Sequence, residues 1–326
     1  MSQRPGPAGA SASIDFRRAE QADIPACASI WRIAINDYAT KMGQPEIPDD
    51  LDRIVRLYGH LIGTDPERFV VAVTPDAGAP GGERVVAFAV AVQRDRVWFL
   101  SMLFVLPEWQ ARGMGRELLQ RVLPEPGAAV VRATGTDTAQ PISNGLYARF
   151  GIVPRMPLFS LTGLPRRPDA LGELPGGIVA VPFDEIAGGD GTGHRDLATT
   201  VDALERDVNG FSHPVDHRYL RSETRHGWLY QGPGGEAIGY GYVSESGRLG
   251  PALARDPDLL GPILGHLCSV TQPRGAFATW TPGHADRALV PMLEAGLRLD
   301  PFPVLLCWDD PPADFERYLP ISPGLL

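Results

Sequence analysis

Cysteine is scarce in this chain, with only Cys27, Cys268 and Cys307 spread over 326 residues. Three scattered thiols exclude a disulfide scaffold and offer no metal-binding spacing. They suit the reducing cytoplasm expected for the protein. Long apolar runs are missing too, so no segment reads as a membrane span. Nor is there a basic excess: 30 Lys and Arg stand against 39 Asp and Glu, a formal net charge of −9. Neither nucleic acid nor a membrane is therefore an expected partner, and the acidic balance leans toward cationic substrates such as amines. Residues 1–12, rich in Pro, Gly, Ala and Ser, lack the apolar stretch of a signal peptide and read as a disordered tail.

What is present is a chain too long for one ordinary core, which predicts two domains. Apolar spacing predicts a short strand over 14–16 and helices over 24–38 and 51–62. Strands follow over 69–73, 84–93 and 97–105, the second a near-continuous apolar run of the kind that is buried on both faces. Helical spacing returns over 116–122. A strand over 128–134, a helix over 141–150 and an extended segment over 153–161 complete the series. The Pro- and Gly-rich residues 164–177 read as a linker. Beyond it the order restarts. Gly82-Glu83-Arg84-Val85-Val86-Ala87-Phe88 is echoed by Gly235-Glu236-Ala237-Ile238-Gly239-Tyr240-Gly241, and the helix end Phe150-Gly151 by Ala295-Gly296. This predicts two tandem copies of one fold: residues 13–163 and residues 178–326.

The segment Leu103 through Leu119 runs from a strand, across a glycine-bearing turn, into an amphipathic helix. Such a junction aims several backbone N–H groups at one point, and their partial positive charge suits a phosphate. Gly113 and Gly115 let a ligand approach the main chain, while Arg112 and Arg116 add charge. A P-loop is excluded because no Lys-Ser/Thr pair follows, and a dinucleotide fingerprint because the third glycine is missing. The plainer reading is a helix that starts after a tight turn.

Gln110-x-x-Gly113-x-Gly115 after Leu103-x-Val105-x-Pro107 resembles the acetyl-CoA motif of the GNAT family of N-acetyltransferases. The resemblance implies an α/β fold, here two tandem GNAT-like domains, each a mostly antiparallel mixed sheet flanked by helices. Main-chain atoms of Leu103, Phe104 and Val105 would hold the acetyl and pantetheine part. The N–H groups of Ala111, Arg112, Gly113, Met114, Gly115 and Arg116 would hold the pyrophosphate of acetyl-CoA or another acyl-CoA. A bulge is expected in the strand. Downstream, Gln140-Pro141-Ile142-Ser143-Asn144-Gly145-Leu146-Tyr147-Ala148-Arg149-Phe150-Gly151 resembles the family's second motif, with Gln140 where Asn usually contacts CoA and Asn144 beside it.

The resemblance assigns Tyr147 as the acid that protonates the CoA sulfur and a strand N–H, Val105 by analogy, as the oxyanion donor. The predicted strand 97–105 carries no carboxylate. Asp137 is the first candidate for general base, Asp37 the next and the C-terminal carboxylate of Leu326 the third. Trp31, Asp37 and Tyr38 would line the acceptor site. No metal is expected. His213 and His217 stand four apart, but Pro214 intervenes and no third ligand is evident. Residues 188–193 read as a flexible turn, lacking the lysine of a phosphate loop.

In the second half no glycine motif precedes residues 259–267, and Asp256 and Asp258 place negative charge there. This copy is expected to be degenerate, serving to shape the acceptor cleft or to mediate a homodimer. The expected function is transfer of an acetyl or short acyl group from acyl-CoA to a small or peptide amine. The alternatives are a non-catalytic acyl-CoA-binding sensor and an enzyme acting on a protein N-terminus or lysine.

Overall fold

The computed structural model describes residues 13–187 and 197–326. The tail at 1–12 and the turn at 188–193 lie outside them, the latter in part of the gap between the two segments. In chain order the elements are β1 (Asp15–Arg18), α1 (Ile24–Lys41), α2 (Asp52–Thr64), β2 (Phe69–Pro75), β3 (Glu83–Arg94), β4 (Val97–Val105) and α3 (Met114–Val122). Then come β5 (Val131–Asp137), α4 (Pro141–Arg149), β6 (Val153–Gly163), β7 (Val179–Pro182), α5 (Phe183–Ala187), α6 (Leu197–Asn209) and α7 (Pro214–Ser222). The chain continues through β8 (His226–Gln231), β9 (Ala237–Val243), β10 (Leu249–Ala254), α8 (Leu260–Ser269), β11 (Phe277–Pro282), α9 (Asp286–Ala295), β12 (Arg298–Leu299), β13 (Val304–Trp308) and β14 (Tyr318–Leu319).

Among the described residues two compact units result: residues 13–92 with 102–123, and residues 93–101 with 124–187 and 197–326. In the first, β1 and β3 flank β2, both antiparallel to it. The long apolar run of β3 is buried as its composition demands, with Val86 through Ala91 fully enclosed. Tyr58 of α2 meets Phe69 and Phe88 edge-on, with ring centroids 6.0 and 5.4 Å apart. Such contacts add to the burial of large rings. α1 buries Ile24, Cys27 and Ile30, while Trp31 and Ile35 on the same stripe are only half-buried.

In the second unit the first part of β4 pairs in parallel with β5. β5 begins at Val131, three residues later than its composition suggests, because Gly127 and Ala128 are held in a turn by the Ala128 N–H to Glu125 carbonyl bond of 3.0 Å. The late strand β13 inserts between β5 and β6, antiparallel to both, and β11 covers the other side of β6. Strands from either side of residues 164–177 thus share one sheet, and the linear boundary at the linker is not a boundary of hydrogen bonding. After Gly296 the chain forms two short strands, β12 and β13, instead of one. A second sheet, ordered β14-β10-β9-β8-β7, is antiparallel throughout.

Candidate active site

Pro107–Trp109 form one tight 3-10 turn after β4. Gln110 is tied back to the strand end by a 3.1 Å bond from its Nε2 to the Val105 carbonyl. Ala111 (φ 62°) and Gly113 (φ 79°) both adopt left-handed conformations, so the backbone curls around Arg112. Gly113 caps α3, and its carbonyl accepts the N–H groups of Arg116 and Glu117, each at 3.1 Å. The Arg116 N–H is thereby spent inside the helix. Among the described residues, the backbone N–H groups of residues 111–115 donate to no acceptor in the chain. Five consecutive free donors at a helix start, where the helix dipole is positive, have the chemistry to accept an anion. A Cβ added at Gly113 would meet nothing within 4 Å, so the concave side is open. Arg112 lies 4.9 Å over the Trp109 ring and donates to the Glu108 carbonyl at 3.1 Å. Leu103 and Phe104 are half-buried, Val105 and Met114 buried, and Gly115 half-buried beside the exposed Arg116. Also in this unit, Trp31, Asp37 and Tyr38 lie half-buried along α1, and Asp37 is engaged by Lys41 at 2.6 Å.

In the other unit, pairing between β4 and β5 is confined to Val97–Leu100 against Val131–Thr134. Thr134 Oγ1 donates to the Leu100 carbonyl at 2.8 Å where the ladder ends. β5 closes at Asp137, whose carbonyl accepts the Gln140 N–H at 3.2 Å and Asn144 Nδ2 at 3.0 Å. Asn144 Nδ2 also bonds the Gln140 carbonyl at 2.8 Å, while its Oδ1 is buried without a partner. Its amide N–H groups therefore brace the start of α4. Gln140 caps that helix, and its side chain makes no hydrogen bond among the described residues. Thr136 and Ser143 join hydroxyls at 2.8 Å, locking β5 to α4.

Tyr147 is the buried residue of α4, whereas the apolar Ile142 near its start is exposed. Burial, with lesser contributions from Cys307 and Asp137, pushes the Tyr147 pKa well above the ordinary phenol value. Its hydroxyl makes no hydrogen bond among the described residues and keeps its proton throughout the physiological range. Asp137 is exposed as a whole residue, yet desolvation by the surrounding protein raises the pKa of its carboxyl.

The model of the acetyltransferase (GNAT) family matches residues 30–152. These residues form a GNAT acetyltransferase domain. Three solved structures share the fold of the whole chain. A protein of Pyrococcus horikoshii is 17% identical, with 99% of each chain covered and a TM-score of 0.70. A GCN5-related N-acetyltransferase from Sphaerobacter thermophilus is 17% identical, covering 93% of this chain and 98% of its own, with a TM-score of 0.55. A tandem GNAT protein from the clavulanic acid biosynthesis pathway is 15% identical over 91% of this chain and 98% of its own, at 0.52. No curated protein matches in sequence. The chain thus has the tandem GNAT fold.

Outside the GNAT domain the start of α8 is organised differently from the start of α3. Asp256 accepts the Asp258 N–H at 3.0 Å, so a side-chain carboxylate already fills the place of an incoming anion. Met292 is buried and Leu293 exposed in α9. One group here has no signal in the sequence: Glu205 of α6 meets both His213 and His217. Pro214 does not separate the two histidines, because it occupies the first turn of α7, where its missing N–H costs nothing. Eight residues separate Glu205 from His213, too far for any local motif to announce the contact.

Proposed function

We propose that the chain is an N-acyltransferase that moves an acetyl or other short acyl group from acyl-CoA to a primary amine by direct attack. The observation that carries this reading is the run of free N–H groups at residues 111–115, which suits the CoA pyrophosphate. Leu103, Phe104 and Val105 hold the acyl and pantetheine portion, and the Val105 N–H polarises the thioester carbonyl as negative charge builds on its oxygen. Gln140, with its unengaged amide, adds a polar contact to CoA.

Attack of the neutral amine gives a tetrahedral intermediate, which collapses with expulsion of the CoA thiolate. Tyr147 supplies the proton. With its pKa raised, the phenol acts chiefly as a hydrogen-bond donor that strengthens as charge gathers on sulfur. Asp137 removes the amine proton, directly or through water, and its raised pKa brings it nearer the range in which a carboxylate serves as base. Trp31, Asp37 and Tyr38 contact the acceptor. Residues 178–326 form a degenerate copy without a CoA site.

A thiol-release screen of primary amines against several acyl-CoAs tests the proposal. Stoichiometric CoA release and N-acylated product are expected with at least one amine. Tight CoA binding without turnover on any amine, free or at a peptide N-terminus or lysine, would reject it in favour of a sensor.

A further inference from the structure

Glu205, His213 and His217 present one oxygen and two nitrogen ligand atoms that all lie within 4.8 Å of one another. Glu205 Oε2 stands 2.8 Å from His213 Nδ1, and Oε1 stands 3.0 Å from His217 Nε2. His213 precedes α7 and His217 lies one turn into it, so both rings project from one helix face. The glutamate comes from α6. We propose that these three side chains form a binding site for a divalent transition-metal ion of the zinc class.

Two imidazoles and one carboxylate suit zinc and its neighbours, whereas magnesium and calcium favour oxygen-only sets. The surroundings support the ligands. His213 Nε2 lies 3.1 Å from Tyr318 Oη, His217 Nδ1 lies 2.8 Å from Tyr242 Oη, and Tyr240 Oη donates to Glu205 Oε1 at 2.6 Å. With the ring protons on the phenol-facing nitrogens, each imidazole donates to its tyrosine and turns a lone pair toward the ion. Outer partners of this kind fix the tautomer of ligating histidines.

The charge inventory points the same way. Asp216 beside the site is already consumed by Arg94, at 2.7 Å. Glu205 is buried, and one oxygen of Asp202, a turn earlier on α6, is buried with no hydrogen-bond partner. Asp202 is close enough for its charge to couple with Glu205 and His217. A cation would answer the Glu205 carboxylate and pin α6 and α7 to β9 and β14, while Asp202, which also faces Arg206 at 3.8 Å, adds negative charge nearby. No step of the proposed acyl transfer uses it.

The test uses the full chain, stripped with a chelator and titrated with Zn²⁺ and Co²⁺. Expected are one tightly held equivalent by elemental analysis, visible absorption from bound Co²⁺, and a higher melting temperature with Zn²⁺ through mass action. Glu205→Gln and His217→Gln should abolish all three. Failure of the wild-type chain to retain metal or shift its melting temperature overturns the proposal, whatever the variants do. Retention of the full equivalent by both variants overturns it equally and leaves the cluster a hydrogen-bonded network.

Discussion

A Cβ placed on Gly135 would stand 2.6 Å from the carbonyl oxygen of Pro323. The neighbour is backbone and cannot swing aside. Next to the end of the β4–β5 ladder, Ser101 Oγ donates to the Gly324 carbonyl at 2.5 Å, so residues 323 and 324 are seated on both strands. Gly135→Ala should cost about 1–3 kcal/mol as an overpacking substitution, and Ser101→Ala about 1 kcal/mol. Urea unfolding of the two variants measures both. A Gly135→Ala protein as stable as the parent would mean that the tail relaxes freely.

Gly113→Ala probes the anion loop. The site has space for a methyl group, but the left-handed backbone resists it by about 1–2 kcal/mol. The helix should survive, while the dissociation constant for CoA rises roughly tenfold, equivalent to about 1.4 kcal/mol. Calorimetric titration with CoA, beside a circular dichroism spectrum, distinguishes lost binding from lost fold.

For Tyr147→Phe, stability should change little because the hydroxyl has no hydrogen bond to lose among the described residues. Turnover should fall about 10²-fold or more, with the KM for acyl-CoA nearly constant. Steady-state kinetics that leave turnover intact would remove Tyr147 from the mechanism.

Acid stability depends in part on Asp23. Burial disfavours its charge, but hydrogen bonds from Arg17 (2.7 and 3.0 Å) and from the Glu20 N–H (2.8 Å) outweigh that, and the net pKa is lowered. A carboxylate with a depressed folded-state pKa contributes stability that is fully present above the unfolded value of about 3.9 and is lost as pH falls through the folded value. Asp23→Asn should therefore weaken the protein at neutral pH and flatten its stability profile in that acid window. Unfolding free energies measured from pH 7 down to about pH 2, through that window, would show an unchanged slope on Asp23→Asn if Asp23 had no such role.

Breaking the buried Arg94–Asp216 pair should be far more damaging than any surface ion-pair loss. Asp216→Asn leaves the guanidinium enclosed without its counter-charge, at a cost of about 3–5 kcal/mol. Replacing both partners by apolar side chains should recover much of it, as a double-mutant comparison of unfolding free energies would reveal.

Local chemistry determined a good deal by itself. The spacing of Gln110, Gly113 and Gly115 after a proline-stopped strand marked a helix start with a glycine turn before it, because the left-handed turn and the free N–H groups arise within a dozen consecutive residues. Helical and strand periods located most elements of the first half for the same reason. Tertiary structure alone decided what depends on distant partners. β13 could be read as extended, but not as the strand between β5 and β6, since its neighbours are chosen by packing across more than a hundred residues. Tyr147, not Ile142, turned out to be the enclosed position of α4, which a nine-residue helix with a weak apolar stripe leaves open. Glu205, His213 and His217 became a cluster only because α6 and α7 lie together over β9 and β14, and no periodicity encodes that meeting.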